Sequence, residues 1–438
     1  MEYKSYKIRL ELNDVQRTNA NKHSGVARHA YNWGVSIIND LFDNNFDLYN
    51  KGEERVKFPT AIDLHKRLVS DVKSENKWYY DVSKWSPQES LRDLEKALKN
   101  YFRKLKKGEI NKLKADYIKK KSKNGGIINY VRLNNIGKPK FKKKGQNDNF
   151  YLEGDIKISG NKIKVPKFGW IKMSENLGEI ECIKNVKISK KCNDWFISFK
   201  TEFKNKVKYK KQGSVGVDLG IKKLATLSNG MVFSGSKPFR KYKRKLKIEQ
   251  RKLSKKYNKE TKTQSNNYKK QQMVVAKLHN KIANIRKDDI HKLTTYLSKN
   301  HTEIVIENLN VSGMIKNHKL ASAIIDGGFF EFKRQLEYKC NWYGTKLIIA
   351  DRFFPSSKKC SCCGNIKKDL KLKDRVYNCE KCGISIDRDI NASLNLKQLA
   401  VSYTVTACGE LYQSMDLIQR NSMKQEINSE IVQINNFA

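Results

Sequence analysis

Apolar and polar residues alternate along residues 3–12 (YKSYKIRLEL), the period-two pattern of a half-buried strand. The period then lengthens. Val26, Ala30, Trp33, Ile37 and Leu41 fall on one helical face, with basic and polar groups opposite. Further on, Ser86-Pro87-Gln88-Glu89 reads as a capping box with proline at the first helical position. It opens a helix whose Leu91, Leu94, Leu98, Phe102 and Leu105 face a core. Residues 13–129 are therefore expected to form a helical module inserted after one strand. Within it, 103–145 is dominated by Lys and Gly and ends in KPKFKKKGQ, which reads as a linker lying along phosphates or as a solvated loop. Short runs between 150 and 203 (YLEGDIKI, NKIKVP, GWIKM, ECIKNVKI, DWFISFKTEF) are separated by Gly and Asn. They predict a small β-meander or barrel that the strand at 3–12 completes. Tyr151, Trp170, Trp195 and Phe199 stand among lysines there; stacking on bases is open to each, with core packing favoured.

A different domain begins at Gly213. SVGVDLG is a buried strand carrying Asp218, and KLATLSNGMVFS gives two short strands around Asn229-Gly230, a strong hairpin signal. Long basic helices follow over 238–300. HTEIVIENLN is a buried strand ending at Glu307, and Asp326-Gly-Gly precedes a helix with Phe329, Phe332, Leu336, Cys340 and Tyr343 on one face. TKLIIAD is a further strand; a cysteine-rich segment (355–386) separates it from a closing helix over 387–401. Three strands, helix, strand, helix, strand, insertion, helix is the order of a ribonuclease-H-like α/β fold. The whole chain is expected to be multidomain α+β, with a polar, partly disordered tail over 402–438.

Charge narrows the partners. The chain has 90 Lys and Arg against 45 Asp and Glu, a formal net charge of +45. So much uncompensated positive charge calls for a polyanion, and neutralising phosphates releases counterions, so nucleic acid is the expected partner. No apolar run is long enough to span a bilayer, and MEYKSYKIRLELN lacks the apolar core of a secretory signal. The nine cysteines are an odd number with four in metal spacing, which suits a reducing compartment. A cytoplasmic, nucleoid-associated protein, monomeric by preference, is expected.

Two sets of residues carry candidate chemistry. Cys360/Cys363 and Cys379/Cys382 are paired Cys-x-x-Cys motifs whose four thiolates can surround one tetrahedral zinc ion. Four thiolates leave no open position, so this zinc is structural. Cys362 lies off the pattern, and Cys182, Cys192, Cys340 and Cys408 are scattered. The second set is Asp218 on the first strand, Glu307 at the end of the fourth, and Asp389 at the start of the closing helix. Clustered carboxylates repel unless cations lie between them. Two Mg²⁺ or Mn²⁺ ions would satisfy them and support hydrolysis of a phosphodiester. Asp387 competes with Asp389 for the third role; Asp389 is favoured because Asn391, two residues on, can orient it. Asp387 is expected in the preceding turn, paired with Arg388 or Arg352. Alone, GVDLG fits an actin-like ATPase as well, but no second glycine-rich phosphate loop accompanies it.

Taken together, VGVDLGIKKLAT, IVIENLNVSGM, DRFFPSSKKCSCCG, YNCEKCG and DRDINASLNL closely resemble the TnpB (OrfB) proteins of bacterial insertion sequences. They are similar, more distantly, to miniature type V CRISPR effectors and the eukaryotic Fanzor proteins. The resemblance includes YNWGV at 31–35 and KVPKFGWIKM at 164–173, and is most specific over 213–396. It implies a RuvC-like nuclease (206–354 and 387–401) with an inserted zinc ribbon, a wedge β-barrel (1–12 and 130–205) and a helical recognition module (13–129). The implied activity is cleavage of double-stranded DNA directed by a guide RNA. The family's catalytic residues carry onto Asp218, Glu307 and Asp389, and its zinc ligands onto Cys360, Cys363, Cys379 and Cys382. All are present, which argues against a nuclease-dead regulator of transposition; Ser393 replaces the usual Ala of the closing motif.

Overall fold

The computed structural model describes residues 2–408 apart from 125, 181, 204–209, 211, 261–262 and 372. They fall into two compact units, Met1–Lys204 and Asn205–Ala438.

In the first unit, β1 (Glu2–Glu11) is followed by α1 (Asp14–Lys51), α2 (Ala61–Arg67), α3 (Trp85–Lys106), α4 (Glu109–Lys123) and α5 (Tyr130–Asn134). Six strands come next: β2 (Asn149–Leu152), β3 (Lys157–Ser159), β4 (Lys162–Val165), β5 (Gly169–Met173), β6 (Lys184–Lys191) and β7 (Asp194–Phe203). They form an antiparallel sheet in the order β2-β6-β7-β1-β5-β4-β3. The first strand of the chain is thus internal, paired with β7 from Glu2–Phe203 to Leu10–Trp195. Its alternation sends Ile8 and Leu10 into a core with Phe150, Ile163, Ile188, Trp195, Ile197 and Phe199.

Helix α1 joins this core to a second one. Asn13 and Gln16 form a reciprocal capping box, and Gln16 Nε2 also donates to Trp170 O of β5 at 2.9 Å. Ala20 and Ala27 face the sheet core. Val26, Ala30, Val35 and Ile38 pack with Leu91, Leu94 and Leu98 of α3. His23 is buried between Phe150 and Phe168, with ring centroids 4.9 Å from each. Its Nδ1–H donates to Asn19 O, and Nε2 accepts the Ser83 N–H at 3.0 Å. Those partners require the neutral ring, and burial pushes the His23 pKa down to about 4.

Three expectations for this unit are corrected. The capping box at Ser86 does not form: α3 starts at Trp85, Ser86 N–H already bonds to Ser83 O, and its hydroxyl donates to Tyr151 O. The apolar stripe of α3 is core only as far as Tyr101, since Phe102 and Leu105 are 37% and 36% exposed. Nor is 103–145 simply a linker, because it contains α4 and α5. Beyond them Lys142 exchanges backbone bonds with the Asn32 side chain and lays its ammonium 3.7 Å from the Tyr31 ring centroid. Burial lowers that ammonium to about 8, so its charge is held inside the protein. Among the four aromatics, Trp195 and Phe199 are core, whereas Trp170 is exposed.

The second unit runs β8 (Gln212–Leu219), β9 (Ala225–Leu227), β10 (Val232–Phe233), α6 (Pro238–Lys255), α7 (Asn266–Asn300), β11 (His301–Ile306), α8 (Val311–Met314), α9 (Ala321–Gly327), α10 (Phe329–Tyr343) and β12 (Lys346–Ile349). A hairpin, β13 (Val376–Asn378) and β14 (Ser385–Asp387), then leads into α11 (Arg388–Cys408). The sheet order is β10-β9-β8-β11-β12, with β8, β11 and β12 parallel and β9 and β10 antiparallel. Parallel strands are buried on both faces, and here alternation divides them. Val215, Val217, Ile304 and Ile306 pack with Leu293, Leu297, Phe332 and Leu336 of α7 and α10. Val305 and Ile348 pack with Leu396 and Ala400 of α11 on the other face. Helix α11 continues through 402–408, where a polar tail was expected; the rest of that tail, 409–438, lies outside the described residues.

Gly216 sets how closely α11 approaches. A Cβ at that position would stand 1.9 Å from Ser393 O and 2.6 Å from Lys397 N, both backbone atoms with no rotamer to yield. Gly216→Ala is therefore expected to push α11 off the sheet and lower the melting temperature of the second unit by 10 °C or more, while Gly213→Ala, which meets nothing within 4 Å, leaves it unchanged. Differential scanning calorimetry of the two variants checks this.

Candidate active site and four-cysteine cluster

The Cys-x-x-Cys pairs fold as two matching knuckles. Cys360 N–H donates to Asn365 O and Gly364 N–H to Cys360 O; Cys379 N–H donates to Ile384 O and Gly383 N–H to Cys379 O. Gly364 and Gly383 take φ of 76° and 67°, the left-handed conformation such a turn needs after its second cysteine. Tyr377 is fully buried beneath, its hydroxyl donating to Lys358 O and Asn365 O. The knuckles bring the Cys360 and Cys382 sulfurs to 3.6 Å and those of Cys363 and Cys379 to 3.5 Å. All four ligand atoms lie within 4.8 Å of one another. A tetrahedron with metal–sulfur bonds of about 2.3 Å has edges of about 3.8 Å, so the cluster fits a single tetrahedral ion. Burial raises the Cys360 thiol to about 12. Burial acts upward on Cys379 too, but the N–H groups of Cys382 and Lys381 and bonds from neighbouring thiols outweigh it and bring Cys379 to about 6. Cys362 is exposed and outside the cluster.

The carboxylates reach their places by register. Ile306 of β11 is opposite Val217 of β8 in the parallel ladder, so the next residues, Glu307 and Asp218, emerge side by side at the carboxyl ends of adjacent strands. Asp218 has the parity of Gly216 and Glu307 that of Val305, so both belong to the face that α11 covers. Ser393 and Lys397 lie over Gly216, and Asp389 is one helical turn before Ser393, towards Asp218. The electrostatics agree. The Asp218 carboxyl is pushed up to about 8, first by burial and then by Glu307, Asp389 and Asp387; Arg388 opposes the rise. Oxygen donors that repel one another are the donor set of hard divalent cations. The three carboxylates are nevertheless more widely spaced than the cysteine sulfurs, which alone among the described residues meet the 4.8 Å spacing.

A polar clamp connects the cysteine hairpin to the acids. Asn391, fully buried, donates to Lys359 O and accepts from Ser361 N–H. Asn395 donates to Ser356 O and Lys359 O, both at 2.7 Å. Ser356, buried at 5% exposure, donates its hydroxyl to Glu307 Oε1. Asn391 thus holds the first knuckle and not Asp389, contrary to expectation. Asp387 also differs: its Oδ1 caps α11 by accepting from Asp389 N–H at 2.8 Å and Ile390 N–H at 3.2 Å, and its Oδ2 pairs with Lys223 at 3.4 Å. Ser356 and Asn395 escaped the sequence reading. A signal existed for the second, since Asn391 and Asn395 stand at i, i+4 spacing on one stripe of the helix.

Comparison with known proteins bears on the whole chain. Family models described as "Helix-turn-helix domain", "Probable transposase" and "Cas12f1-like, TNB domain" match residues 1–45, 198–318 and 329–396. Here the first region is β1 and most of one uninterrupted helix, α1. The chain is 32% identical over 428 residues to "Putative RNA-guided DNA endonuclease InsQ" of Escherichia coli (strain K12), spanning 94% of this chain and 95% of that one. It is 39% identical over 235 residues to "Putative RNA-guided DNA endonuclease" of Streptomyces pristinaespiralis, covering 53% and 56% of the two chains. The solved "Cas12f1-sgRNA-target DNA complex" aligns at 17% identity and a TM-score of 0.31 over 91% of this chain and 99% of that one, too loosely to guide residue assignments.

The cluster is expected to take one Co²⁺ per chain with the absorption of a tetrahedral thiolate complex, and Cys379→Ser to abolish that spectrum. The acid site carries a pH signature. A carboxyl held protonated to about 8 when folded, against about 3.9 when unfolded, makes the folded state bind the extra proton. Without added divalent cation, wild type should therefore lose stability relative to Asp218→Asn as pH rises from about 4 through 8, and level off above. Thermal melts of the pair across that range measure it.

Proposed function

The chain belongs to the TnpB (OrfB) family of insertion-sequence proteins, and on that premise we propose that it is an RNA-guided DNA endonuclease that cuts at Asp218, Glu307 and Asp389. The observation that carries the reading is the convergence of Asp218 and Glu307 on adjacent parallel strands beneath the helix whose first turn carries Asp389. Ligand sites of open α/β sheets lie at the carboxyl ends of such strands. The order β10-β9-β8-β11-β12, with the fold's first strand central and its fourth beside it, supports a RuvC-like, ribonuclease-H-type nuclease unit.

Bound Mg²⁺ or Mn²⁺ ions would polarise a phosphodiester and lower the pKa of an attacking water. The wide spacing of the acids suits a pair of ions about 3.5–4 Å apart better than one. Asp218, half-buried and repelled by both neighbours, must give up its proton for a cation to bind. Glu307 enters with one oxygen already tied to Ser356. Asp389 is set by the first turn of α11, whose N-terminal N–H groups are occupied by Asp387. The four cysteines hold a structural zinc, which has no open coordination position and takes no part in the cut.

The +45 charge, spread over the chain, suits a guide RNA–DNA hybrid gripped by its backbone while base pairing carries the sequence information. Double-stranded DNA next to a short recognised motif is the substrate this reading implies. A regulator of transposition would need neither the acids nor their register, and the chain retains both.

Purified protein with its copurified RNA should linearise a plasmid carrying the matching sequence when Mg²⁺ is present. Asp218→Ala is expected to slow cleavage on the order of a thousandfold or more, the several kcal/mol that a metal-binding carboxylate supports, while guide RNA affinity stays within about twofold. Intact plasmid with wild-type protein, despite full binding of RNA and target, would overturn the assignment.

A further inference from the structure

We propose that Ser356 is the positioning residue of Glu307, held in place by the root of the zinc ribbon, so that the ribbon braces the acid site. The inference rests on the reading of Glu307 as a cation-binding carboxylate. Glu307 lies just past the end of β11, where the ladder no longer restrains it, and its side chain has several free torsions. Such a group loses considerable entropy on being fixed unless the protein fixes it beforehand. The Ser356 hydroxyl supplies that restraint: it donates to Oε1 and leaves Oε2 for a cation.

A serine can orient a carboxylate only if it is itself immobile. Ser356 is buried, and both sides of its backbone are held: its N–H donates to Phe354 O at 2.8 Å and its carbonyl accepts from Asn395 at 2.7 Å. Asn395 also grips Lys359 O, beside Cys360, at 2.7 Å. Asn391 holds the same carbonyl and the N–H of Ser361 on the other side of that cysteine. The first knuckle of the ribbon, the rotamer of Ser356 and the orientation of Glu307 therefore form one hydrogen-bonded chain, anchored on the helix that carries Asp389. A clip that merely closed an insertion would need none of the bond to Glu307.

Isothermal calorimetry of Mn²⁺ binding to the RNA-loaded protein, together with single-turnover cleavage across a Mg²⁺ series, tests the assignment. Ser356→Ala is expected to weaken Mn²⁺ binding about fivefold or more and to raise the Mg²⁺ needed for half-maximal cleavage, with melting temperature and guide RNA affinity unchanged. Ser356→Thr and Ser356→Val are alike in shape and differ in the hydroxyl; Thr should approach wild type and Val should follow Ala, which keeps the comparison valid if Ser356→Ala fails to fold. In a Glu307→Gln background, Ser356→Ala should change Mn²⁺ affinity no further, because its effect passes through that carboxylate. Wild-type Mn²⁺ affinity in Ser356→Ala, equal behaviour of the Thr and Val variants, or full additivity with Glu307→Gln would each overturn the proposal. Wild-type protein that binds Mn²⁺ with this coupling yet never cuts would remove the nuclease reading and leave the positioning role standing.

Discussion

The second unit depends on a contact between backbones. At Gly216 the sheet meets α11 with no side chain between them, and the carbonyl of Ser393 occupies the space a Cβ would fill. This close approach lets a short turn of helix place Asp389 above the ends of β8 and β11, and brings Asn391 and Asn395 within reach of the ribbon root. Layers of larger residues would hold the helix about 10 Å from the sheet, as in ordinary packing. The missing methyl group at one strand position thus fixes the geometry of both the acids and the cysteines.

Charge is arranged on two scales. Over the whole chain, 45 more basic than acidic groups create a field that attracts nucleic acid from solution and weakens with salt. Within it, some cations are withdrawn from that role. Lys142 rests on Tyr31, and Lys339, 3% exposed, gives its protons to His291 O, Thr294 and Thr295 between α7 and α10. Burial brings each of these ammonium groups down to about 8. The acid site is the reverse case, a pocket of like charges inside a positive protein, where Asp218 keeps its proton near neutrality instead of pairing with a lysine. Several carboxylate oxygens gathered in this way suit a divalent cation better than a side-chain ammonium, because several oxygens must be satisfied at once.

The parts legible in the sequence were those set by local pattern. Period-two alternation found β1, short runs bounded by Gly and Asn found the strands between 150 and 203, buried apolar runs found β8 and β11, Asn229-Gly230 marked the β9–β10 hairpin, and the paired Cys-x-x-Cys spacing foretold that four thiols would gather. The neighbourhood of Asp218 and Glu307 followed from strand order alone. What resisted reading depends on tertiary partners. Ser86 is a good cap by type, but its hydroxyl is taken by Tyr151 O, and the helix begins two residues earlier than the cap predicts, at Trp85. The basic run at 103–145 hides α4 because lysine-rich helices carry little apolar signal. Asn391 was expected to orient Asp389 and Asp387 to pair with an arginine in the turn, but Asp387 caps the helix through the Asp389 N–H while Asn391 reaches across to the ribbon. Short polar side chains make bonds that spacing cannot foretell, since a one-turn rotation exchanges their partners.

The two proposed metal sites are opposed in hardness, and their separation has a structural consequence. Thiolates hold a soft, four-coordinate ion tightly, about 10–16 kcal/mol for structural zinc in small domains, and such energy would add to the small core that the hairpin builds around Tyr377 and Ile386. Carboxylates hold hard cations weakly enough to exchange with substrate phosphates. A permanent ion can therefore serve as framework for a transient one. The bonds from Cys360's neighbours through Asn395 and Ser356 to Glu307 are the route by which the rigidity of the first reaches the second. Because the same helix bears Asp389, loosening the ribbon would release two of the three acids together, whereas Asp218, fixed within the strand, would stay.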